Sequence, residues 1–206
     1  MAKRRHVKLV RRGSAATKRW HEHQPWWGRL LRRAPRTLDL IGAELTHAQL
    51  FGADLHDAAL LKANLAQANL TSANLTGARL IRAVLTHASL RKADLSGATF
   101  EHADLRNVDL SEARSPSAPV SFEKADLRGG DLTDSCLRRS NFRDADLRRA
   151  TLSRADLSQS DLAGADLRWA DLSFADLSRC SLVGADLRGL SYRASFWIGR
   201  NLPSDT

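Results

Sequence analysis

Leucine or phenylalanine recurs at every fifth position along most of the chain, between residues 38 and 187. The series runs from Leu40 to Leu110 and, after a slip of two residues, from Phe122 to Leu187. Its 29 central residues are all leucine except for three phenylalanines. Because regularity at a fixed short period is typical of repeat architectures, the chain is predicted to consist largely of tandem five-residue units.

This period fits neither common secondary structure. In an α-helix, leucines five residues apart would be rotated by ~140° from one another and would cover every face. In a straight strand, leucines at this odd spacing would point alternately to opposite faces. The chain can keep every leucine inside only by turning a corner in each unit, which predicts a solenoid.

The other positions of the unit agree with this interpretation. Two residues before the central one, 21 of the 29 units carry alanine, so a second, small residue is expected to point inward. The residue just before the central one is Asp, Asn, Glu or Gln in 20 units, a choice that suits hydrogen bonds to the backbone of a turn. The two remaining positions vary and are expected to face solvent.

The units Ala53-Asp54-Leu55, Ala63-Asn64-Leu65 and Ala185-Asp186-Leu187 follow the pattern A-(D/N)-L-x-x, and through them the chain resembles the pentapeptide repeat family over about 150 of its 206 residues. The resemblance implies an all-β fold, a right-handed quadrilateral β-helix in which four units make one coil. The array would then form about seven coils, each advancing by ~4.8 Å. The resemblance also implies possible partners, because some family members mimic duplex DNA, bind DNA gyrase or topoisomerase IV, and protect them from quinolones and other poisons.

The repeat divides the chain into three parts: a basic N-terminal arm and cap at 1–36, the β-helix at 37–187, and a C-terminal segment at 188–206. A loop at 111–121 interrupts the array with two extra residues and two prolines. It is predicted to be a bulging corner or a kink between two stacks. The bulky residues of the C-terminal segment could cap the last coil or join two copies of the chain as a homodimer; they are Tyr192, Phe196, Trp197 and Ile198.

The N-terminal arm carries 12 Lys or Arg against the single acid Glu22, whereas the rest of the chain has 20 basic and 22 acidic residues. The arm could therefore contact nucleic acid or another anionic surface in a salt-dependent way. Residues 25–33, with Trp26 and Trp27, are predicted to form a short helix that caps the first coil or contacts a membrane surface or nucleic acid. The first twenty residues are expected to be mobile.

Stepping twenty residues along the array brings surface residues into columns. Four arginines share one column, each two residues after an aspartate; they are Arg128, Arg148, Arg168 and Arg188. This ladder either compensates its own charge on a solvated face or docks an acidic surface. The column interpreted as its counterpart in the first run is apolar, with Ile41, Leu61 and Ile81, and would contact the arm or a partner unless its exposure is incidental.

No motif in the sequence indicates catalysis. The acidic residues are spread by the repeat, and P-loop, dinucleotide-binding, nucleophile-elbow and H-E-x-x-H patterns are absent from it. A filled β-helix also leaves no internal cleft. The seven histidines show no metal-ligand spacing. We therefore expect a protein that is not an enzyme and needs no cofactor or metal.

The preferred hypothesis is a rigid protein-interaction scaffold with a partner of unknown identity. The first alternative is a DNA mimic that binds gyrase or topoisomerase IV, although the near-neutral rod weakens it. The second alternative is nucleic-acid binding through residues 1–36. Two isolated cysteines, Cys136 and Cys180, suit a reducing cytoplasm, and no secretory signal or transmembrane span is recognised in the sequence.

Overall fold

In the computed structural model, residues 4–12, Ala15, Thr17 and 37–195 are described, and 37–195 form a solenoid. Parallel β-bridges join each coil to the next, from Asp39↔Ala59 to Asp171↔Ser191. Most bridges connect residues 20 apart and fall on the residue before a central leucine. Within the described residues each bridge is one residue long, so the coil has four short bridged sides separated by four turns.

The corners of the coil are type II β-turns. In one of them, the Ala48 N–H donates to the Leu45 carbonyl at 3.0 Å, and the third turn residue, His47, has a φ of 57°. Among the described residues, twenty-two such left-handed positions carry a residue other than glycine, and each costs of order 1 kcal/mol. The aspartates before the turns help to hold them, as predicted, since the Asp131 carboxylate accepts the Thr133 N–H at 2.9 Å.

The side chains inside the solenoid form one continuous hydrophobic core. The central residues from Leu40 to Leu110 and from Phe122 to Leu172 have no solvent-exposed surface. Most alanines two positions earlier are also buried. This burial confirms that two positions of each unit point inward, and it explains why one of the two must be small.

Three phenylalanines replace leucine in one stretch of this core. The ring centroids of Phe100 and Phe122 lie 5.0 Å apart, and those of Phe122 and Phe142 also lie 5.0 Å apart. The rings are stacked with interplanar angles of 16° and 17°. Ser115, one unit before Phe122 along the coil, takes a central position where the other coils have leucine. The larger rings therefore add apolar volume to a part of the core where one leucine is missing.

The interruption of the repeat is a bulging corner. The bridge to Arg114 spans 20 residues and the next one, to Ser121, spans 22. The two extra residues therefore lie between them, in a shorter segment than the predicted loop at 111–121. The Ser117 N–H donates to the hydroxyl of the buried Ser96 at 3.2 Å, which holds the loop against the preceding coil. The β-bridges are regular both before and after this loop.

A short helix covers the N-terminal end of the solenoid. This helix, α1, spans Arg4–Val10, and the Val10 side chain is fully buried in the core. After it, the Arg11 guanidinium donates to the Glu44 carbonyl at 2.8 Å, and the Asp54 N–H donates to the Thr17 hydroxyl at 3.1 Å. Both backbone groups belong to the open edge of the first coil, so the arm satisfies hydrogen-bonding groups that would otherwise be exposed.

This cap differs from the one expected from the sequence. The first twenty residues were expected to be mobile, but α1 and Thr17 are packed against the solenoid. Trp26 and Trp27, in the segment predicted to form the cap, lie outside the described residues. Among the described residues, no helix has the length and apolar character needed to cross a membrane.

At the other end, Tyr192 occupies a central position but is 50% exposed. It therefore does not plug the last coil in the way that the leucines fill the earlier ones. Phe196, Trp197 and Ile198 lie outside the described residues, so their role as a cap or a dimer contact stays a prediction.

Candidate functional site

The four arginines of the predicted column lie on one side of the solenoid, and a fifth joins them. Arg106 precedes Arg128 by 22 residues, because the two extra residues of the loop fall between them. Each of these arginines pairs with the aspartate two positions before it. We name this set the Asp–Arg ladder; its members are Asp104, Arg106, Asp126, Arg128, Asp146, Arg148, Asp166, Arg168, Asp186 and Arg188.

One rung illustrates the geometry of the ladder. Arg128 donates from Nε to Asp126 Oδ1 at 2.8 Å and from Nη2 to Asp126 Oδ2 at 2.6 Å. The Arg128 backbone N–H also donates to the same carboxylate at 3.2 Å. On the next coil, Asp146 Oδ2 lies 3.5 Å from Arg128 Nε. This guanidinium therefore forms a bidentate ion pair with Asp126 in its own coil and a longer ion pair with Asp146 in the next coil.

The ladder lowers the pKa values of three of its carboxylates. The hydrogen bond from Arg188 lowers the pKa of Asp186 to about 2. Hydrogen bonds from Arg106 and Arg168 likewise lower the pKa values of Asp104 and Asp166. These carboxylates stay ionised at neutral pH, so the face presents alternating fixed charges of both signs.

We expect the protein to lose stability as the pH falls from about 4 to about 2. In this range the unfolded chain binds protons at Asp104, Asp166 and Asp186 more readily than the folded protein does, because their folded pKa values are lowered. The stabilisation that these ionised aspartates provide is therefore complete above the pKa that they have in the unfolded chain. It is lost as the pH falls below that value toward their lower pKa values in the folded protein. Urea unfolding midpoints across this range would measure it, and Asp166→Asn should flatten the slope. A midpoint that stays constant down to pH ~2.5 would contradict this expectation.

An open groove of about 440 Å³ runs along the corner beside the ladder. The groove is lined by four ladder arginines and by the turn residues that follow them: Arg106, Asn107, Arg128, Gly129, Arg148, Arg149, Arg168 and Trp169. These turn residues have positive φ values, so their side chains stand on the corner itself. A wall of aspartate-paired arginines and a corner of turn residues therefore define the groove.

The corner carries two groups that could receive a ligand. The Arg149 side chain is exposed and makes no hydrogen bond or ion pair with the described residues. The Trp169 ring is 65% exposed. It lies against Gly189, where a Cβ atom would clash with the ring carbons, so the glycine leaves room for the ring at this corner. The arrangement offers N–H donors and an aromatic surface, which suits binding.

Sequence reasoning found the arginine column but missed Arg106, Arg149 and Trp169. A step of 22 residues across the loop leads from Arg128 back to Arg106. A second column, one residue further along, contains Arg149 and Trp169. Reading two adjacent columns together, with the slip taken into account, would have found the groove.

The aliphatic column is not the counterpart of the arginine column. Ile41, Leu61 and Ile81 do stack on successive coils, since the Gly42 N–H donates to the Leu61 carbonyl at 2.8 Å and the Lys62 N–H donates to the Ile81 carbonyl at 3.0 Å. The next residue in this column is Glu101, because the Arg82 N–H donates to the Glu101 carbonyl at 2.9 Å. Arg106 belongs to a different column.

The side chains of the aliphatic column are only partly exposed. Ile41 is 39% exposed, whereas Leu61 and Ile81 are half-buried. The hydrogen bonds of the N-terminal arm reach Glu44 and Asp54 instead. Contact of this column with a partner stays a prediction.

Neither cysteine has the properties of a reactive nucleophile. Both Cys136 and Cys180 are free. Burial raises the pKa of the Cys136 thiol, and it raises the pKa of Cys180 to about 11. The thiolate forms are therefore scarce at neutral pH. Among the described residues, no group of three His, Cys, Asp or Glu side chains is placed to hold a metal ion.

Comparison with solved structures finds several pentapeptide repeat proteins. HetL, which is involved in heterocyst differentiation regulation in the cyanobacterium Nostoc sp. strain PCC 7120, is 35% identical over 75% of this chain and 70% of its own, with a TM-score of 0.53. The protein alr5209 from Nostoc PCC 7120 is 34% identical over 51% of this chain and 84% of its own, with a TM-score of 0.42. Full-length QnrB1, a plasmid-mediated fluoroquinolone resistance protein, is 17% identical over 77% of this chain and 91% of its own, with a TM-score of 0.42.

A comparison with curated protein sequences gives no significant match. The family model for pentapeptide repeats matches this chain in eight copies, over residues 48–86, 78–114, 120–154 and 150–189. These ranges cover both runs of the array on either side of the loop. They agree with the observed five-residue units and the register of 20 residues per coil. The chain therefore belongs to the pentapeptide repeat family.

Proposed function

We propose that this protein is a non-enzymatic scaffold, a right-handed rod of about seven coils that binds a protein partner through the face carrying the Asp–Arg ladder. The observation that supports this proposal is the ladder itself. Its five arginines occupy equivalent positions on successive coils, and each is oriented by a paired aspartate. Side chains fixed in this way lose little freedom on binding, which favours recognition by a rigid surface.

The proposal is tested by charge-matched variants of the full chain. The ladder variant replaces Arg106, Arg128, Arg148 and Arg168 with glutamine. The control variant replaces four exposed, ion-paired arginines outside the ladder with glutamine: Arg91, Arg138, Arg143 and Arg154. Both variants lose the same positive charge, so only the location differs.

We expect chemical cross-linking in lysate, followed by mass spectrometry, to find the same partner with the wild type and the control variant. The ladder variant should lose at least about 90% of that cross-link, because several charge-assisted contacts disappear together. Circular dichroism would verify that both variants keep the wild-type fold. A partner that cross-links equally to all three proteins would place the binding surface elsewhere.

The DNA-mimic alternative needs an unpaired acidic surface, and the face that carries the ladder does not provide one. On this face every one of the five aspartates forms an ion pair with an arginine. A supercoiling reaction with DNA gyrase would discriminate, since a strong effect of the wild-type protein that persists in the ladder variant would favour the mimic. Nucleic-acid binding through residues 1–36 would instead weaken steeply with salt.

A further inference from the structure

The ladder arginines keep hydrogen-bonding capacity that the protein does not use. A guanidinium has five N–H donors. In Arg128, Arg148 and Arg168, the aspartates engage Nε and Nη2. Among the described residues, the Nη1 groups of these three arginines have no protein partner. The same arginines line the groove, so their unused donors are available to a ligand there.

The spacing of these donors restricts the ligand. Successive coils are ~4.8 Å apart, so four consecutive ladder arginines span ~14 Å. Acidic side chains on one face of an α-helix recur at each turn of ~5.4 Å, and four of them span ~16 Å. Long side chains can absorb a difference of ~2 Å over this length. An α-helix parallel to the rod axis therefore matches the ladder.

The charge of the face favours carboxylates over a polyphosphate. Each ladder arginine is already paired with an aspartate, so the ladder is electrically balanced and Arg149 adds one positive charge at the groove. The affinity of a protein for nucleic acid depends on a surplus of positive charge, which releases counterions from the phosphates. A helix with a few carboxylates needs directional donors, which this face supplies.

We propose that the groove binds an acidic amphipathic α-helix of a protein partner, with carboxylates at i, i+4, i+7 and i+11 facing the ladder. This inference rests on the proposed scaffold function and specifies the chemistry of the partner. The carboxylates accept hydrogen bonds from the free guanidinium edges of Arg106 to Arg168. Arg149 pairs with an acidic side chain on the flank of the helix, and an apolar residue near one end packs on the exposed ring of Trp169.

The probe is a dye-labelled helical peptide of ~18 residues, long enough to be helical when rich in alanine. It has glutamates at the four stated positions, a fifth glutamate on the flank that faces Arg149, and a leucine at one end. An isomer of the same composition has its glutamates distributed around the helix, and a dT oligonucleotide of similar length is the nucleic-acid probe. Fluorescence anisotropy with the full-length protein measures all three.

Two corner variants have close controls. Arg149→Gln is compared with Arg139→Gln, since both arginines are exposed and have a turn φ of 58°. Trp169→Ser is compared with Phe174→Ser, since both rings are exposed and stand at left-handed turn positions. None of these four side chains belongs to the ladder, so the substitutions leave its ion pairs in place.

We expect the isomer peptide to bind about tenfold more weakly than the aligned peptide. Arg149→Gln and Trp169→Ser should each weaken the aligned peptide about three- to tenfold, and their controls should leave it unchanged. Equal binding of both peptides, no binding of either, or equal effects of variants and controls would overturn the proposal. Tighter binding of the oligonucleotide, lost in Arg149→Gln, would identify a nucleic-acid site instead. If the ladder variant loses its cross-linked partner but the peptide does not bind, the scaffold function stands and the acidic helix is wrong.

Discussion

Replacement of Phe122 by alanine is expected to lower the free energy of unfolding by about 4 kcal/mol. The Phe122 side chain is fully buried and stacks on both Phe100 and Phe142. Truncation removes its apolar surface, leaves a cavity in a filled core, and breaks two aromatic contacts at once. The solenoid has no second core that could collapse into this space, so relaxation around the cavity should be limited.

Leucine at the same position is the matched control. It restores the residue that most other coils use, so Phe122→Leu should cost only about 1 kcal/mol. Urea unfolding followed by far-UV circular dichroism compares the two variants. Because each coil contacts only its neighbours, a weakened middle coil should also broaden the alanine variant's transition. Equal midpoints for the two variants would contradict the expected cost of the cavity, and a Phe122→Leu midpoint equal to that of the wild type would show that the stack adds nothing beyond a leucine column.

The fold follows from the sequence because one geometric argument covers the whole array. A period of five can keep Leu40, Leu45 and their successors inside only if each unit turns a corner, and the structure has turns at this period. The identity of the turn residues does not follow in the same way. Lys62, Arg149 and Trp169 adopt left-handed backbone conformations that their side chains disfavour. Bridges to the neighbouring coils impose those conformations, which no local propensity reveals.

The candidate site follows from the sequence only in part. The column from Arg128 to Arg188 repeats at the period of the coil, so counting twenty residues finds it. Arg106 escapes this count because the loop adds two residues. The wrong pairing of the ladder with the column of Ile41 was an error of one five-residue unit, since that column continues to Glu101, five residues before Arg106. Placing the loop needs the bridges themselves, because the repeat continues through Arg114 before the extra residues occur.

The N-terminal cap is the feature that is hardest to predict from the sequence. The arm has no repeat, and its strong positive charge suggests a mobile segment. Its docking depends on Val10 reaching the core and on single hydrogen bonds from Arg11 and to Thr17. Such isolated contacts leave no periodic signal in the sequence, although an open coil edge makes some cap necessary.

Replacement of Val10 by aspartate should therefore detach the cap. Val10 is fully buried in the hydrophobic core, and an unpaired buried carboxylate costs about 3 to 5 kcal/mol. The helix can avoid that penalty by leaving the solenoid, so we expect undocking of α1 with partial retention of the rod. Tryptic cleavage after Arg11 should become at least about tenfold faster. The exposed backbone groups of Glu44 and Asp54 should also promote concentration-dependent association, which light scattering would detect.

Lys8→Asp places the same acid in the same helix at an exposed position, so it controls for changes in helix charge and propensity. Its cleavage rate after Arg11 and its molar mass in solution should stay close to those of the wild type. If Val10→Asp is cleaved no faster than this control, Val10 does not anchor the arm. If cleavage accelerates without association, the helix is anchored by Val10 but does not protect the edge of the first coil from pairing. The two measurements thus separate the packing role of the cap from its role in blocking edge-to-edge assembly.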